Sequence, residues 1–138
     1  MRFIDANVFI YAVLKPKGPL PETVQQKKKA ARDIFLRVND GEPVITTTVH
    51  LSEVANVLED AAGLPFACDL LAALLVKSSI SIEPVSADDY RESIGLSKKY
   101  SISINDALAL IIMERLGIDE IYSFDRHFRK TDVTIVQE

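Results

Sequence analysis

The sequence predicts an α/β fold: three layers, α/β/α, around a central parallel sheet of four to five strands. Two observations carry this. Short β-rich runs alternate with longer segments whose apolar residues recur at helical spacing, the pattern of strand–helix crossovers. Proline, glycine and polar capping residues punctuate nearly every boundary between them. At 138 residues the chain reads as one domain, residues 1–138, long enough to bury a proper core.

Arg2–Ile4 reads as a short buried strand that ends at Asp5. Asn7–Leu14 follows as a helix with Asn7 in its first turn. Three prolines and a glycine within Lys15–Pro21 exclude regular structure there, so this segment is a loop. Helix resumes at Glu22 or Thr23, with Ala30, Ala31, Ile34, Phe35 and Val38 as its apolar stripe, and Asn39-Asp40-Gly41 stops it. Val44–Thr46 is a second strand. Thr46, Thr47 and Thr48 supply N-cap candidates for a helix to Ala62, with Leu51, Val54, Ala55, Leu58 and Ala62 facing the core.

Gly63 closes that helix and Pro65 opens another, Phe66–Lys77, apolar almost all round. Such a helix is either buried or covered by a partner subunit, which makes a homodimer the expectation. Ser79–Val85 alternates as a third strand, and Ser86–Asp89 caps a helix to about Tyr100. Ser103-Ile104-Asn105-Asp106 caps the next, which Gly117 ends after Leu116. Ile121–Phe124 is a fourth strand and Val133–Val136 the candidate fifth.

Composition bounds the function. Apolar content of 48% and charged content of 26% are those of an ordinary soluble protein. The longest apolar runs, Leu70–Val76 and Ala107–Met113, fall far short of a membrane span. No signal peptide opens the chain, since Asp5 interrupts the first apolar run, and a cytoplasmic location is expected. Cys68 is the single cysteine, which excludes an intrachain disulfide; its apolar context suggests a small buried hydrophobe. A net charge of −4 argues against a general nucleic-acid coat protein. Three local basic clusters remain: Lys27–Lys29 with Arg32, Lys98-Lys99, and Arg126-Arg129-Lys130. The first reads as a solvated helix face.

Four acids occupy comparable places. Asp5 follows the first strand, Glu53 lies early in the helix after the second, Asp106 is in the first turn of its helix, and Asp125 follows the fourth strand. In a parallel sheet, strand C-termini and the following helix N-termini share one edge, so all four can project into one cleft. Ordinary structural roles exist for each. Asp106 can complete a capping box with Ser103, Glu53 can face the helix dipole, and Asp125 can cap the Arg126–Phe128 turn. Asp5, beside buried apolar residues, has the weakest such role.

Carboxylates about 5 Å apart repel by roughly 3 kcal/mol per pair at an effective dielectric near 20. Four converging acids therefore call for a cation, and an all-oxygen donor set suits Mg2+ or Mn2+. Such ions polarise phosphodiesters and activate water.

Phe3-Ile4-Asp5-Ala6-Asn7-Val8, Ser52-Glu53-Val54-Ala55, Asn105-Asp106-Ala107 and Tyr122-Ser123-Phe124-Asp125-Arg126-His127-Phe128 together resemble the PIN-domain family. Many small prokaryotic members of that family are toxins of the VapBC toxin–antitoxin type. The resemblance spans essentially the whole chain in order and spacing. It implies a Mg2+- or Mn2+-dependent endoribonuclease with Asp5, Glu53, Asp106 and Asp125 as catalytic, metal-binding quartet, and Asn7 and Ser123 ordering the site. It also implies an RNA substrate and an antitoxin partner. Arg126, His127, Arg129 and Lys130 follow the fourth acid directly and are candidate RNA contacts. The proline-rich Lys15–Pro21 loop and lysine-rich helix depart from the commonest toxin pattern.

Two other readings compete. One is a non-catalytic PIN-like module that binds RNA or protein. The other is a phosphatase with Asp5 as nucleophile, which wants a second acid two residues on, where this chain has Asn7.

Overall fold

A computed structural model describes all 138 residues. Five parallel strands form one sheet in the order β3-β2-β1-β4-β5. They are β1 (Arg2–Ile4), β2 (Val44–Thr47), β3 (Ile80–Glu83), β4 (Glu120–Tyr122) and β5 (Thr134–Val136). Six helices connect them: α1 (Ala6–Val13), α2 (Glu22–Asn39), α3 (Thr48–Ala62), α4 (Leu64–Val76), α5 (Ala87–Tyr100) and α6 (Ile104–Leu116). A 3-10 turn, Arg126–Lys130, precedes β5. The three-layer parallel-sheet expectation holds, and Val133–Val136 does supply the fifth strand.

Period-two alternation divides the core. Ile4, Val44, Ile80 and Tyr122 face a layer made by α1, α2, α3 and α4. Phe3, Ile45 and Ile121 face the other way, against α6, Ile102 and Phe128, with Leu96 and Tyr100 of α5 at its margin. The central strand β1 is covered on both faces; Phe3 and Ile4 are both fully buried. Residues Asp106–Met113 of α6 are all buried, so this helix forms most of the second layer.

Caps set the boundaries. Asp5 accepts from the Ala6 amide and so becomes the N-cap of α1, which begins one residue earlier than periodicity predicted. Thr47 caps α3 by accepting from the His50 amide. Ser86 and Asp89 form a complete capping box on α5. Gly117, at φ +68°, takes the left-handed C-cap of α6.

Several expectations need correction. Strand β3 is confined to Ile80–Glu83, shorter than the predicted Ser79–Val85, and β4 stops at Tyr122 before Ser123 and Phe124. Cys68 is exposed, not buried; neighbouring Ala67 is the residue that α4 inserts into the core. Ala62 is exposed at the end of α3, beyond the reach of the sheet. Lys28 is not solvated. It is 8% exposed, and its ammonium donates to the carbonyls of Tyr11 and Leu14 at the C-terminal end of α1. A cation there meets the negative pole of the helix and satisfies carbonyls that α1 leaves open.

Of the two alternatives for α4, the structure excludes complete burial. Only Ala67 and Leu74 are buried, while Leu64, Leu75 and Val76 are 58%, 56% and 82% exposed.

Candidate metal centre

The four acids come from the edge where β1 and β4 end and where α3 and α6 begin. Asp5 and Asp106 are buried, and Glu53 and Asp125 half-buried. Ser123 is the hub that aligns Asp5 with Asp125. Its hydroxyl donates to Asp5 Oδ2 at 2.7 Å and accepts from the Asp125 amide at 3.0 Å and from Asn7 Nδ2 at 3.4 Å. One donor and two acceptor sites are a hydroxyl's full capacity. Asn7 Oδ1 in turn accepts from the Phe124 amide at 3.3 Å, tying α1 to the segment after β4. These bonds explain why β4 stops where it does: Ser123 and Phe124 engage side chains of the first helix.

Asp125 also caps the 3-10 turn, accepting from the His127 amide at 2.8 Å, while His127 Nδ1 lies 3.1 Å from its Oδ1. Ser103 accepts from the Asp106 amide at 3.0 Å. The reciprocal half of a capping box is absent, so the Asp106 carboxyl is left to face the other acids. Asp106, Asp125 and His127 each offer one donor atom within 4.8 Å of the others. Glu53 is held by Asn105, whose amide donates to Oε1 at 3.2 Å across the gap between α6 and α3.

Burial dominates the electrostatics of the site, and repulsion among the acids adds to it. Burial, with lesser contributions from Glu53 and Asp125, pushes the Asp5 carboxyl up to about 6, against the lowering effect of its bonds from Ser123 and Ala6. Asp106 is pushed up to about 8, first by burial, then by the charges of Asp5 and Asp125 and a hydrogen bond shared with Asp125.

His50 completes the surroundings. It is 1% exposed, and burial pushes its imidazole down to about 4, so it is neutral at physiological pH. Thr47 Oγ1 accepts from the His50 amide and shares a second hydrogen bond with His50 Nδ1 at 2.6 Å. His50 Nε2 has no hydrogen-bond partner and lies 3.9 Å from Asp5 Oδ1.

Every predicted site acid is thus on the same edge, with Asn7 and Ser123 bonded among them. Arg126, Arg129 and Lys130 are exposed on the turn beyond Asp125. Sequence reasoning passed over Asn105 and the aim of His50. Asn105 had a usable signal, an amide beside an acid in a helix's first turn; the direction of His50 needed coordinates.

Fold and site together define a parallel α/β protein with an acidic cluster at the C-terminal edge of its sheet. The PIN-domain family model matches residues 2–133, and the chain belongs to the PIN-domain family. No curated protein matches it by sequence. Among solved structures, Mycobacterium tuberculosis VapC20, a sarcin-ricin loop cleaving toxin, superposes with a TM-score of 0.79 at 20% identity, over the full length of both chains. A toxin–antitoxin complex from Klebsiella pneumoniae matches with a TM-score of 0.67 at 14% identity, covering all of this chain and 98% of that one. At these identities the likeness is one of fold.

Proposed function

We propose that the protein is a metal-dependent endoribonuclease, the toxin of a toxin–antitoxin pair, acting as a single nuclease domain over residues 1–138. The observation that carries this reading is the pair of buried carboxyls, Asp5 and Asp106, pushed up to about 6 and about 8 beside Glu53 and Asp125. Carboxyls this crowded take up a proton unless a cation replaces it. Asp106, Asp125 and His127 offer two carboxylates and an imidazole within 4.8 Å of one another. With the carboxylates of Asp5 and Glu53 beside them the donor set is mostly oxygen, which suits Mg2+ or Mn2+.

In this reading Asp5, Glu53, Asp106 and Asp125 hold the metal. Bound there, it supplies Lewis-acid polarisation of a phosphodiester and eases deprotonation of the attacking water. The chain's own residues set the geometry. Ser123 binds the Asp5 carboxylate, Ser123 and Asn7 tie down the backbone that carries Asp125, and Asn105 holds Glu53. Arg126, His127, Arg129 and Lys130 follow Asp125 on the 3-10 turn and, in this reading, would contact RNA phosphates.

Support for a toxin–antitoxin role comes from the structural likeness to VapC20 and to the Klebsiella complex. A homodimer through the exposed apolar face of α4 belongs to the same proposal, with an antitoxin as the second partner and the cytoplasm as location. No helix is long and apolar enough to cross a membrane.

The test is RNA cleavage by the purified protein with Mg2+, with Mn2+ and with EDTA, alongside Asp5→Asn and Asp106→Asn. Cleavage that needs the metal and is lost in both folded variants is the expected result. A folded wild-type protein that neither cleaves RNA nor binds Mn2+ would return the chain to the non-catalytic binding reading.

A further inference from the structure

The acidic cleft presents a problem for any polyanionic substrate, since the chain carries −4 overall. Its charge is unevenly spread. Between Leu14 and Arg32 lie Lys15, Lys17, Lys27, Lys28, Lys29 and Arg32 against Glu22 alone, a net +5, which leaves −9 for the remainder. Lys28 is spent internally on the end of α1. None of the other five cations has a carboxylate within ion-pair distance; the ion pairs of the molecule lie elsewhere.

Topology puts this charge on the side of the acids. The C-terminus of α2 must return to the sheet edge where β2 starts, opposite the acids. Helix α1 runs antiparallel to α2: Phe9 stacks edge-on against Phe35 at 5.9 Å, and Lys28 reaches the carbonyls of Tyr11 and Leu14. The hairpin loop therefore extends outward from the acid-bearing edge. Leu14 lies nine residues from Asp5, about 13 Å along a helix, which a few nucleotides of RNA span.

The loop is built to stay put. Pro16, Pro19 and Pro21 restrict it, Gln25 Nε2 donates to the Leu20 carbonyl at 2.8 Å, and Lys28 anchors its start. Between loop and helix lies an open groove of about 330 Å3 lined by Pro16, Gly18, Leu20, Gln25, Lys29 and Arg32. A rigid, unpaired cationic tip beside an acidic cleft offers a phosphate chain the attraction that the cleft itself withholds.

We propose that the α1–α2 hairpin tip is an RNA-backbone docking surface, using Lys15, Lys17, Lys27, Lys29 and Arg32 to hold phosphates a few nucleotides from the acid cluster. This rests on the ribonuclease reading for its partner, and its test is independent of cleavage. Binding of a labelled, short single-stranded oligoribonucleotide is measured by fluorescence anisotropy in EDTA across a salt series. The full-length protein is compared with the variant Lys15→Gln, Lys17→Gln, Lys29→Gln, Arg32→Gln.

Each phosphate contact removed lowers the slope of log K against log salt by about 0.7, so the slope falls by roughly 2–3. Affinity at low salt falls at least tenfold, with unchanged melting temperature. A Lys98→Gln, Lys99→Gln control on α5 leaves the slope as it was. Absent RNA binding by the wild type, an unchanged slope in the tip variant, or an equal loss per charge in the control would each overturn the proposal. So would unaltered RNA binding combined with lost binding of polyglutamate, which assigns the tip to an acidic protein. If the tip variant loses RNA binding while the wild type cleaves nothing with Mg2+ or Mn2+, docking stands and the nuclease reading fails; the converse pattern separates them the other way.

Discussion

Asp106 and Asp5 make the stability of the metal-free protein depend on pH in a direction opposite to the usual carboxylate. Their folded-state values, about 8 and about 6, lie above the ordinary 3.8, so from pH 4 upward the folded state binds more protons than the unfolded chain. Their contribution to stability is full below pH 4 and declines as pH rises through 6 and then 8, by on the order of a few kcal/mol in all. Thermal melts in EDTA should therefore fall in midpoint between pH 5 and pH 8. Asp106→Asn should flatten most of that decline and melt above wild type at pH 8, while Mn2+ should rescue only the wild type. Asn105 acts one step out, through Glu53. Asn105→Ala is expected to lower Mn2+ affinity about 10–100-fold with little change in melting temperature, as read by calorimetric titration.

At the scale of elements, the site depends on helices being entered and left at fixed residues. Lys28 illustrates this, because a single ammonium closes the C-terminal end of α1 from the neighbouring helix. Lys28→Met keeps the stem and removes the donors. It should cost about 1–3 kcal/mol, read from denaturant midpoints, by leaving two carbonyls short of a partner. Helix α4 poses the reverse case, an apolar surface with too little protein over it. Leu75→Asp with Val76→Asp alters two exposed side chains and should leave the monomer's fold intact. If α4 forms the dimer, light scattering will show the mass of this variant fall to one chain. A wild-type protein that is already monomeric at micromolar concentration would remove the dimer from the proposal.

Over the whole molecule, structure and charge are segregated. One sheet edge gathers acids from four separate elements, and one hairpin beside it gathers unpaired cations. Parallel topology produces the first arrangement, since every strand ends on the same edge and every following helix starts there. The opposite end of the sheet is closed by a different device. Tyr122 donates to Glu42 at 2.6 Å, accepts from Arg2 at 2.7 Å, and lies under both the Arg2 and Arg37 guanidinium groups. That cluster pairs its charges internally, in contrast to the hairpin tip.

Much of this was legible in the chain alone. The strand–helix alternation, the caps at Thr47, Ser86 and Ser103, the breaks at Gly63 and Gly117 and the positions of Asp5, Glu53, Asp106 and Asp125 are local signals. Each depends on backbone propensity or on spacing within a few residues. Burial was less legible. Cys68, Ala62 and Lys28 were each misplaced, because helical periodicity tells which residues share a face but not how far a neighbouring element covers it. The same limit hid the hydrogen bond from Asn105 to Glu53, which joins residues 52 positions apart, and the unpartnered Nε2 of His50 beside Asp5. Sequence by itself determined which acids were available and which elements carried them. Only the tertiary structure decided which of them are buried and how they are held, because desolvation and long-range hydrogen bonds exist only once the layers have packed.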